Sequence, residues 1–399
     1  LQHAQAEASE ALKLAGIKPM VNQNKDKALP FLQSMLSQKR TPEVKNALAG
    51  SLLRLCNAAD ADQLTSQLAL ASIEGKSVII NILAARKVKQ KLAMIDPFLT
   101  DQNPSLRNAA YKALPSTATP EVIEFLIDIL ATAYGSEEIG LVQQSFLNLM
   151  ESDNSIQDKV LKIYNEFDEK QRIVPLLASL SNKQALALLV KSLGSSDVDE
   201  QKASIEALSN WNTDESLPHL FKGATQNKDA DISKLAFEQY LSTIRTSKAT
   251  ADQKLLLTRK LMPYAKTTDQ KIDVIRTAGT AKTFLSLVFV AEYLNDNEVA
   301  SVAAQTAITI SLPTPGKNNG LYGDVVRQTL ADCMRVLTGP ESQYTKIDVT
   351  EYLEKMPVGK GFVSIFNGKD LSGWEGLVEN PIARNKMSKR QLANAQAKA

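Results

Sequence analysis

The chain is short of the side chains on which most protein chemistry depends. Its 399 residues include two histidines, His3 and His219, and two cysteines, Cys56 and Cys333. A zinc site built from His and Cys would use nearly all four of them. Two cysteines are also too few for a disulfide-rich scaffold. Most catalytic chemistry is therefore poorly supplied, and we expect no cofactor and no metal ion in this chain.

Glycine, proline and aromatic residues are too few for a protein built mainly of β-strands. Such a protein needs many turn residues and many β-branched or aromatic strand residues. This chain has 17 Gly, 15 Pro and 6% aromatic residues. Its hydrophobic content of 44% supplies a large core, so a mainly disordered chain is excluded as well.

The chain also lacks an excess of one charge and a long apolar run. Forty-six basic and 44 acidic side chains leave a formal charge of +2, which favours neither nucleic acid nor an anionic membrane. The longest nearly apolar stretches, 78–85 and 284–291, are far shorter than the roughly 20 residues of a spanning helix. We expect two buried helices there, no membrane span and no nucleic-acid partner.

What the chain does contain is a repeated pair of helical patterns. Residues 101–114 read DQNPSLRNAAYKAL, and residues 119–130 read TPEVIEFLIDIL, with one apolar face behind Thr119 and Pro120. Thr119 is the expected N-cap of the second pattern. Related segments open with the same acidic or Thr-Pro start, and they occupy residues 41–53, 197–208, 229–241, 269–279 and 296–308.

Apolar residues near the ends of the second helices recur every 28 to 37 residues. They are Leu52, Leu83, Leu114, Met150, Leu180, Leu208, Leu241, Ala278 and Ile308. A helical hairpin of about 30 residues cannot bury its apolar stripe alone, so successive hairpins stack. We predict an all-α fold, an α-α superhelix of about nine hairpins over residues 1–340. Cys56 and Cys333, near its two ends, are predicted to be buried thiols without a disulfide bond.

The pattern resembles the short bacterial type of HEAT repeat. The second helix of that repeat reads roughly Asp-x-x-Pro-x-Val/Leu-Arg-x-x-Ala-x-x-Ala-Leu. The matching residues here are Asp101, Pro104, Leu106, Arg107, Ala110, Ala113 and Leu114. The resemblance implies an armadillo-like α-solenoid whose concave face binds a protein or glycan partner, and it does not identify that partner.

The repeat stops in a loop at residues 313–323, PTPGKNNGLYG. Gly316-Lys317 superficially resembles a phosphate loop, but the spacing Gly-x4-Gly-Lys-Ser/Thr is absent and no buried strand precedes it. We expect a last amphipathic helix over 324–337 to cap the array. Residues 341–360 are predicted to be a linker with a short helix at 349–356.

Residues 361–399 begin with a different pattern. The segment 361–376, GFVSIFNGKDLSGWEG, alternates side chains with a period of two and then reaches an Asn367-Gly368 turn. This predicts a short β-strand stub at the C-terminal end. A second helix is expected to begin near Ser388.

This segment resembles the opening signature of the DUF1080 family, the 3-keto-disaccharide hydrolases. That signature reads roughly Gly-Phe-x-x-Leu-Phe-Asn-Gly-Lys-Asp-Leu-x-Gly-Trp. The matching residues are Gly361, Phe362, Phe366, Asn367, Gly368, Lys369, Asp370, Leu371, Gly373 and Trp374. The resemblance implies a secreted or periplasmic glycosidase with a β-jelly-roll. Residues 361–399 would be its truncated N-terminal piece, so the remaining hydrolase domain and its catalytic residues would lie outside this chain.

Several side chains have both a functional and a structural interpretation. Trp374 is either a sugar-stacking platform or an anchor for the first strand, and a structural role is favoured for the whole signature. His219, just after Pro218, has no second ligand at metal spacing, so an ordinary helix residue is favoured. Trp211 and Tyr240 are favoured as packing residues over members of a binding surface.

Three functions remain open at this point. The first is a non-catalytic binding or positioning region of a glycoside-processing enzyme, with no activity in this fragment. The second is a protein–protein interaction scaffold with no enzymatic role. The third, HEAT-type nucleic-acid binding, is the least favoured because the charge is nearly balanced.

Overall fold

The computed structural model describes residues 15, 25–37, 41–89, 92–361, 365, 372, 374 and 378–398. These residues form 22 α-helices joined by short loops and 3₁₀ turns. Within them, β-pairing is limited to one antiparallel bridge between Gly323 and Gly361. The all-α prediction is confirmed.

The chain consists of two compact units, Leu1–Ser247 and Lys248–Ala399. Helices of the first unit are α1 (Lys25–Ser34), α2 (Pro42–Leu55), α3 (Ala58–Leu64), α4 (Ile73–Ala85), α5 (Leu92–Ile95), α6 (Pro104–Thr117), α7 (Ile123–Thr132), α8 (Ser136–Ser152), α9 (Asn154–Glu166), α10 (Val174–Leu180), α11 (Lys183–Leu193), α12 (Val198–Ser209), α13 (Leu217–Gln226) and α14 (Ala230–Thr246).

Helices of the second unit are α15 (Ala251–Leu261), α16 (Thr268–Gly279), α17 (Phe284–Ala291), α18 (Ala300–Ser311), α19 (Asp324–Val336), α20 (Gln343–Lys355), α21 (Pro381–Asn385) and α22 (Lys389–Gln396).

Helices in the first unit pack as a series of neighbouring hairpins. Each even-numbered helix contacts the odd-numbered helix before it, as α8 contacts α7 and α14 contacts α13. Each even-numbered helix also contacts the even-numbered helices next to it, so α2, α4, α6, α8, α10, α12 and α14 form one continuous series. The second unit repeats this arrangement with α15–α16 and α17–α18, where α16 packs on α18.

The predicted repeat positions have one structural role in common. Leu52, Leu83, Leu114, Met150, Leu180, Leu208, Leu241, Ala278 and Ile308 lie one on each even-numbered helix from α2 to α18. All nine side chains are buried. The spacing of roughly 30 residues therefore marks equivalent core positions in successive hairpins.

Acidic and amide side chains begin several of the helices. Asp197 caps α12 by accepting a hydrogen bond from the Glu200 N–H at 2.9 Å, and Asp229 caps α14. Asn103 caps α6. The expected N-cap Thr119 makes no capping hydrogen bond, because a 3₁₀ turn at Pro120–Val122 intervenes and α7 begins only at Ile123.

Helix α20 begins earlier than the sequence indicates. The sequence predicts a helix over 349–356, whereas the helix spans Gln343–Lys355 and packs on α19. Arg327 of α19 donates to the carbonyl oxygens of Leu353 at 3.2 Å and Met356 at 3.4 Å. The sequence signal is weak because Val349 is the only fully buried residue of this helix whose burial is described. Helix α19 ends one residue before the predicted boundary.

Both nearly apolar stretches are helical, as predicted, but the prediction that both are buried is wrong for the second one, because Leu285 and Val288 are exposed. Residues 78–85 belong to α4, and residues 284–291 form α17. No helix in the described part of the chain combines the length and hydrophobicity needed to cross a membrane. Cys56 and Cys333 are both buried and form no disulfide bond, which confirms that prediction.

Candidate functional site

Most of the DUF1080-like signature lies outside the described residues. The signature residues Phe362, Phe366, Asn367, Gly368, Lys369, Asp370, Leu371 and Gly373 belong to that part, and so does most of the predicted strand. Gly361 forms the bridge to Gly323, and Trp374 is 48% exposed. The choice between a sugar platform and an anchor for Trp374 remains a prediction.

The other singled-out side chains are distributed between core and surface. Trp211 and Tyr240 are buried, which confirms their interpretation as packing residues. His219 is half-buried on α13, and burial, together with nearby Lys222, lowers its pKa. It lines an open groove of about 560 Å³ between α11 and α13. Across the described ranges, no cluster of His, Cys, Asp or Glu is arranged to hold a metal ion.

A cleft with more varied chemistry lies in the first unit between α6 and α8. Its volume is about 600 Å³, and we call it the Tyr134 cleft. The residues that line it come from the loop before α6, from α6 itself, from the end of α7, from the connection that follows α7 and from the start of α8. They are Leu99, Thr100, Arg107, Tyr111, Thr132, Tyr134, Gly135 and Glu138.

An ion pair joins the two helices that form the cleft. Arg107 on α6 donates from Nε to Glu138 Oε1 on α8 at 3.2 Å. The other end of the Arg107 guanidinium donates from Nη1 to the carbonyl oxygen of Asp101 at 2.8 Å. Glu138 Oε2 also accepts a hydrogen bond from the backbone N–H of Tyr134 at 3.3 Å. The carboxylate thus holds both the arginine and the loop that carries Tyr134.

The two tyrosines of the cleft differ in their surroundings. Tyr134, in the short connection between α7 and α8, is 99% exposed. Tyr111, one turn after Arg107 on α6, is only 5% exposed. Burial, followed by the negative charge of Glu138, raises the pKa of Tyr111. Its hydroxyl has no hydrogen-bond partner among the described residues, yet it is not sealed from solvent.

The loop of Tyr134 is fixed from behind by a distant arginine. Arg172, immediately before α10, donates from Nη1 to the carbonyl oxygens of Leu130, Ala131 and Ala133 at 2.8, 3.0 and 2.8 Å. Gln143 of α8 donates to the carbonyl oxygen of Arg172 at 2.6 Å. These bonds satisfy the C-terminal carbonyls of α7 and hold the backbone up to the residue before Tyr134.

The sequence pattern identified only part of this site. Arg107 was recognised as a repeat residue, and its position on an even-numbered helix is consistent with that role. Tyr134 and Arg172 lie in connections without periodicity, so no pattern marked them. The chemistry of the cleft is an exposed aromatic ring on a hydrogen-bonded backbone, beside a neutral ion pair and several hydroxyl groups.

Comparison with known proteins adds no further identification, because no family model and no curated protein matches the chain. The function is therefore inferred from the sequence signature, the hairpin packing and the cleft.

Proposed function

We propose that this chain is the non-catalytic, HEAT-like helical-repeat region of a secreted or periplasmic glycoside-processing protein. The complete protein hydrolyses 3-keto-disaccharides or related 3-keto-glycosides, and the helical region binds or positions a partner. The observation that carries the helical part of this proposal is the series of nine buried repeat positions on even-numbered helices.

Hairpin packing supports an α-α superhelix. A helix that touches the equivalent helices of the hairpins before and after it is the basic contact of a stacked repeat array. This contact runs from α2 to α14 in the first unit and joins α16 to α18 in the second. Such arrays present extended surfaces that favour binding of a partner molecule. Catalysis instead requires reactive side chains that converge on one point.

The signature supports the hydrolase part of the proposal. Ten residues between Gly361 and Trp374 follow the DUF1080 pattern in order and spacing. The resemblance implies that the family's active-site residues lie outside this chain, so activity is proposed for the complete gene product alone.

The test compares two proteins in one hydrolysis assay. The complete gene product and residues 1–399 are each incubated with a 3-keto-disaccharide, and release of the two monosaccharides is followed by chromatography. We expect turnover by the complete product and none by residues 1–399. Absence of turnover by the complete product contradicts the hydrolase proposal, and turnover by residues 1–399 contradicts the non-catalytic role.

A scaffold without an enzymatic role is the alternative, and exposed apolar residues in the second unit favour it. Leu256 on α15 and Leu285 and Val288 on α17 are exposed, and these two helices pack against each other. Exposed apolar clusters mark protein interaction sites more often than isolated apolar residues do. The scaffold predicts that the complete gene product has no hydrolase activity.

A further inference from the structure

We propose that the Tyr134 cleft binds a neutral carbohydrate. The Tyr134 ring stacks on the C–H face of one sugar ring, while Tyr111, Arg107 and Glu138 form hydrogen bonds with its hydroxyl groups. This proposal rests on the proposed function in one respect, namely that the helical region binds a glycan partner. It adds the place where that partner binds and its chemical class. The evidence for the site itself is the geometry of the cleft.

The first argument is the position of Tyr134. Its ring is 99% exposed, yet the backbone around it is held by Glu138 on one side and by Arg172 through Ala133 on the other. Because the backbone is already held, a ligand that packs on the ring does not have to order this loop, which lowers the entropic cost of binding. A pyranose ring is complementary to the Tyr134 ring, because its C–H groups form a flat apolar face while its hydroxyls point outward.

The second argument is the hydroxyl of Tyr111. The Tyr111 side chain is about nineteen-twentieths buried and lines the cleft, and its hydroxyl has no hydrogen-bond partner within the residues that the structure describes. The hydroxyl oxygen is accessible to solvent, so water is its partner in the free protein. A phenol can both donate and accept a hydrogen bond, as a sugar hydroxyl can. A carbohydrate in the cleft would replace that water as the hydrogen-bond partner.

The third argument is the charge of the cleft. Arg107 and Glu138 neutralise each other across 3.2 Å, so neither an anionic nor a cationic ligand is favoured. A ligand carboxylate or phosphate would be repelled by Glu138, and a ligand ammonium group would be repelled by Arg107. Charged pairs of this kind are strong hydrogen-bond partners for neutral hydroxyls. Thr100 and Thr132 add hydroxyl groups at the rim.

The size of the cleft is consistent with a short oligosaccharide. Its volume of about 600 Å³ lies within the range of small-molecule sites. The cleft is open to solvent, so we expect weak binding with a Kd on the order of 1 mM.

The experiment measures binding of trehalose, maltotriose and cellotriose to residues 1–399 by saturation-transfer NMR and calorimetry. At least one of them should bind. Tyr134→Ala should weaken that binding at least about tenfold, and Tyr111→Phe, which loses only a hydroxyl, about fivefold. Tyr344→Ala is the matched control, because Tyr344 is 81% exposed in the second unit and its loss should leave Kd unchanged.

Three outcomes would overturn the proposal. They are absence of binding by all three probes at about 10 mM, unchanged Kd in Tyr134→Ala, and equal weakening in Tyr344→Ala. Circular dichroism of each variant checks that folding is intact, which the exposure of Tyr134 leads us to expect. Hydrolysis by the complete gene product is measured separately. Carbohydrate binding without hydrolysis would contradict the proposed hydrolase activity and support the binding site. Hydrolysis without carbohydrate binding to residues 1–399 would support the hydrolase activity and contradict the binding site.

Discussion

Arg172 donates a hydrogen bond to the carbonyl oxygen of Ala133 across 2.8 Å, although 39 residues separate them in sequence. The same nitrogen bonds the carbonyls of Leu130 and Ala131, so one guanidinium replaces the hydrogen bonds that α7 lacks at its C-terminal end. A cation at this end also interacts favourably with the helix dipole. Because Ala133 precedes Tyr134, the hydrogen bond that stabilises the end of α7 also holds the loop that lines the Tyr134 cleft.

Replacing Arg172 with alanine should destabilise the first unit by about 2–3 kcal/mol, since charged hydrogen bonds to several carbonyls are lost. Its side chain is 15% exposed, so water replaces these bonds poorly. Arg172→Lys should recover only part of the loss, because lysine lacks the planar fork. Thermal unfolding measures the effect, with Arg335→Ala as control, since Arg335 is 74% exposed and its ion pair among the described residues is with nearby Asp332. An equal loss in both alanine variants would refute the assignment.

Two helical glycines should respond to alanine in opposite directions. A Cβ at Gly75 on α4 would lie 2.0 Å from the carbonyl oxygen of Leu36, whereas one at Gly140 on α8 would meet nothing within 4 Å. Gly140→Ala should stabilise the protein by up to about 1 kcal/mol through helix propensity. Gly75→Ala should destabilise it, because backbone atoms must move. Urea denaturation of both variants compares the signs, and a stabilised Gly75→Ala would show that this contact is not tight.

Alkaline pH should weaken the fold partly through Tyr240. Burial raises the pKa of Tyr240 to about 12, while an unfolded tyrosine ionises near pH 10. Between these values the unfolded chain has released the proton and the folded chain has not, so the free energy of unfolding falls as pH rises. Tyr240→Phe keeps a ring beside Phe221, whose centroid lies 5.6 Å away, and removes this contribution.

The measurement is the thermal midpoint of the wild type and Tyr240→Phe at several pH values from about 8 to 11. The decline above pH 10 should be shallower in the variant. Parallel declines would show that Tyr240 does not contribute. Part of the decline should persist in both proteins, because burial also raises the pKa of Cys333 to about 12.

A buried polar cluster should show energetic coupling. Tyr164 shares a hydrogen bond of 2.7 Å with Ser192 and donates to Glu200 Oε1 at 3.2 Å, while Ser195 donates to Glu200 Oε2 at 2.6 Å. Tyr164→Phe should cost about 1–2 kcal/mol in the wild type. The cost should be smaller by about 1 kcal/mol when Glu200 is already glutamine. The double-mutant cycle compares the wild type, Tyr164→Phe, Glu200→Gln and the double variant by urea unfolding. Strictly additive losses of unfolding free energy would contradict coupling.

Periodicity determined how much of the fold the sequence could reveal. Positions such as Leu114 and Leu208 are apolar because they are buried in every hairpin, and that burial is visible as a spacing near 30 residues. The sequence predicts too short a helix α20, because Tyr344 and Ile347 are exposed and the first half of the helix has no apolar face. Helices with a periodic apolar face could therefore be predicted from the sequence, and helices without such a face could not.

The cleft could not be derived in the same way. Its key bonds join residues in different hairpins, as Arg107 joins Glu138 over 31 residues and Arg172 joins Ala133 over 39. Polar contacts of this kind leave no periodic trace, since each is made once. Tyr134 follows a helix end, where an exposed aromatic residue carries no pattern at all.

The bridge between Gly323 and Gly361 determines where the DUF1080-like signature starts. Both glycines have positive φ, +108° and +64°, and a Cβ on either would lie within 2.4 Å of the opposing backbone. Glycine at both positions allows this contact. The chain thus returns from the end of α20 to the beginning of α19 before the signature begins. The signature therefore starts beside the N-terminal end of α19. A substitution at Gly323 would displace Gly361, the first residue of the signature, although it lies nearly forty residues further along the chain.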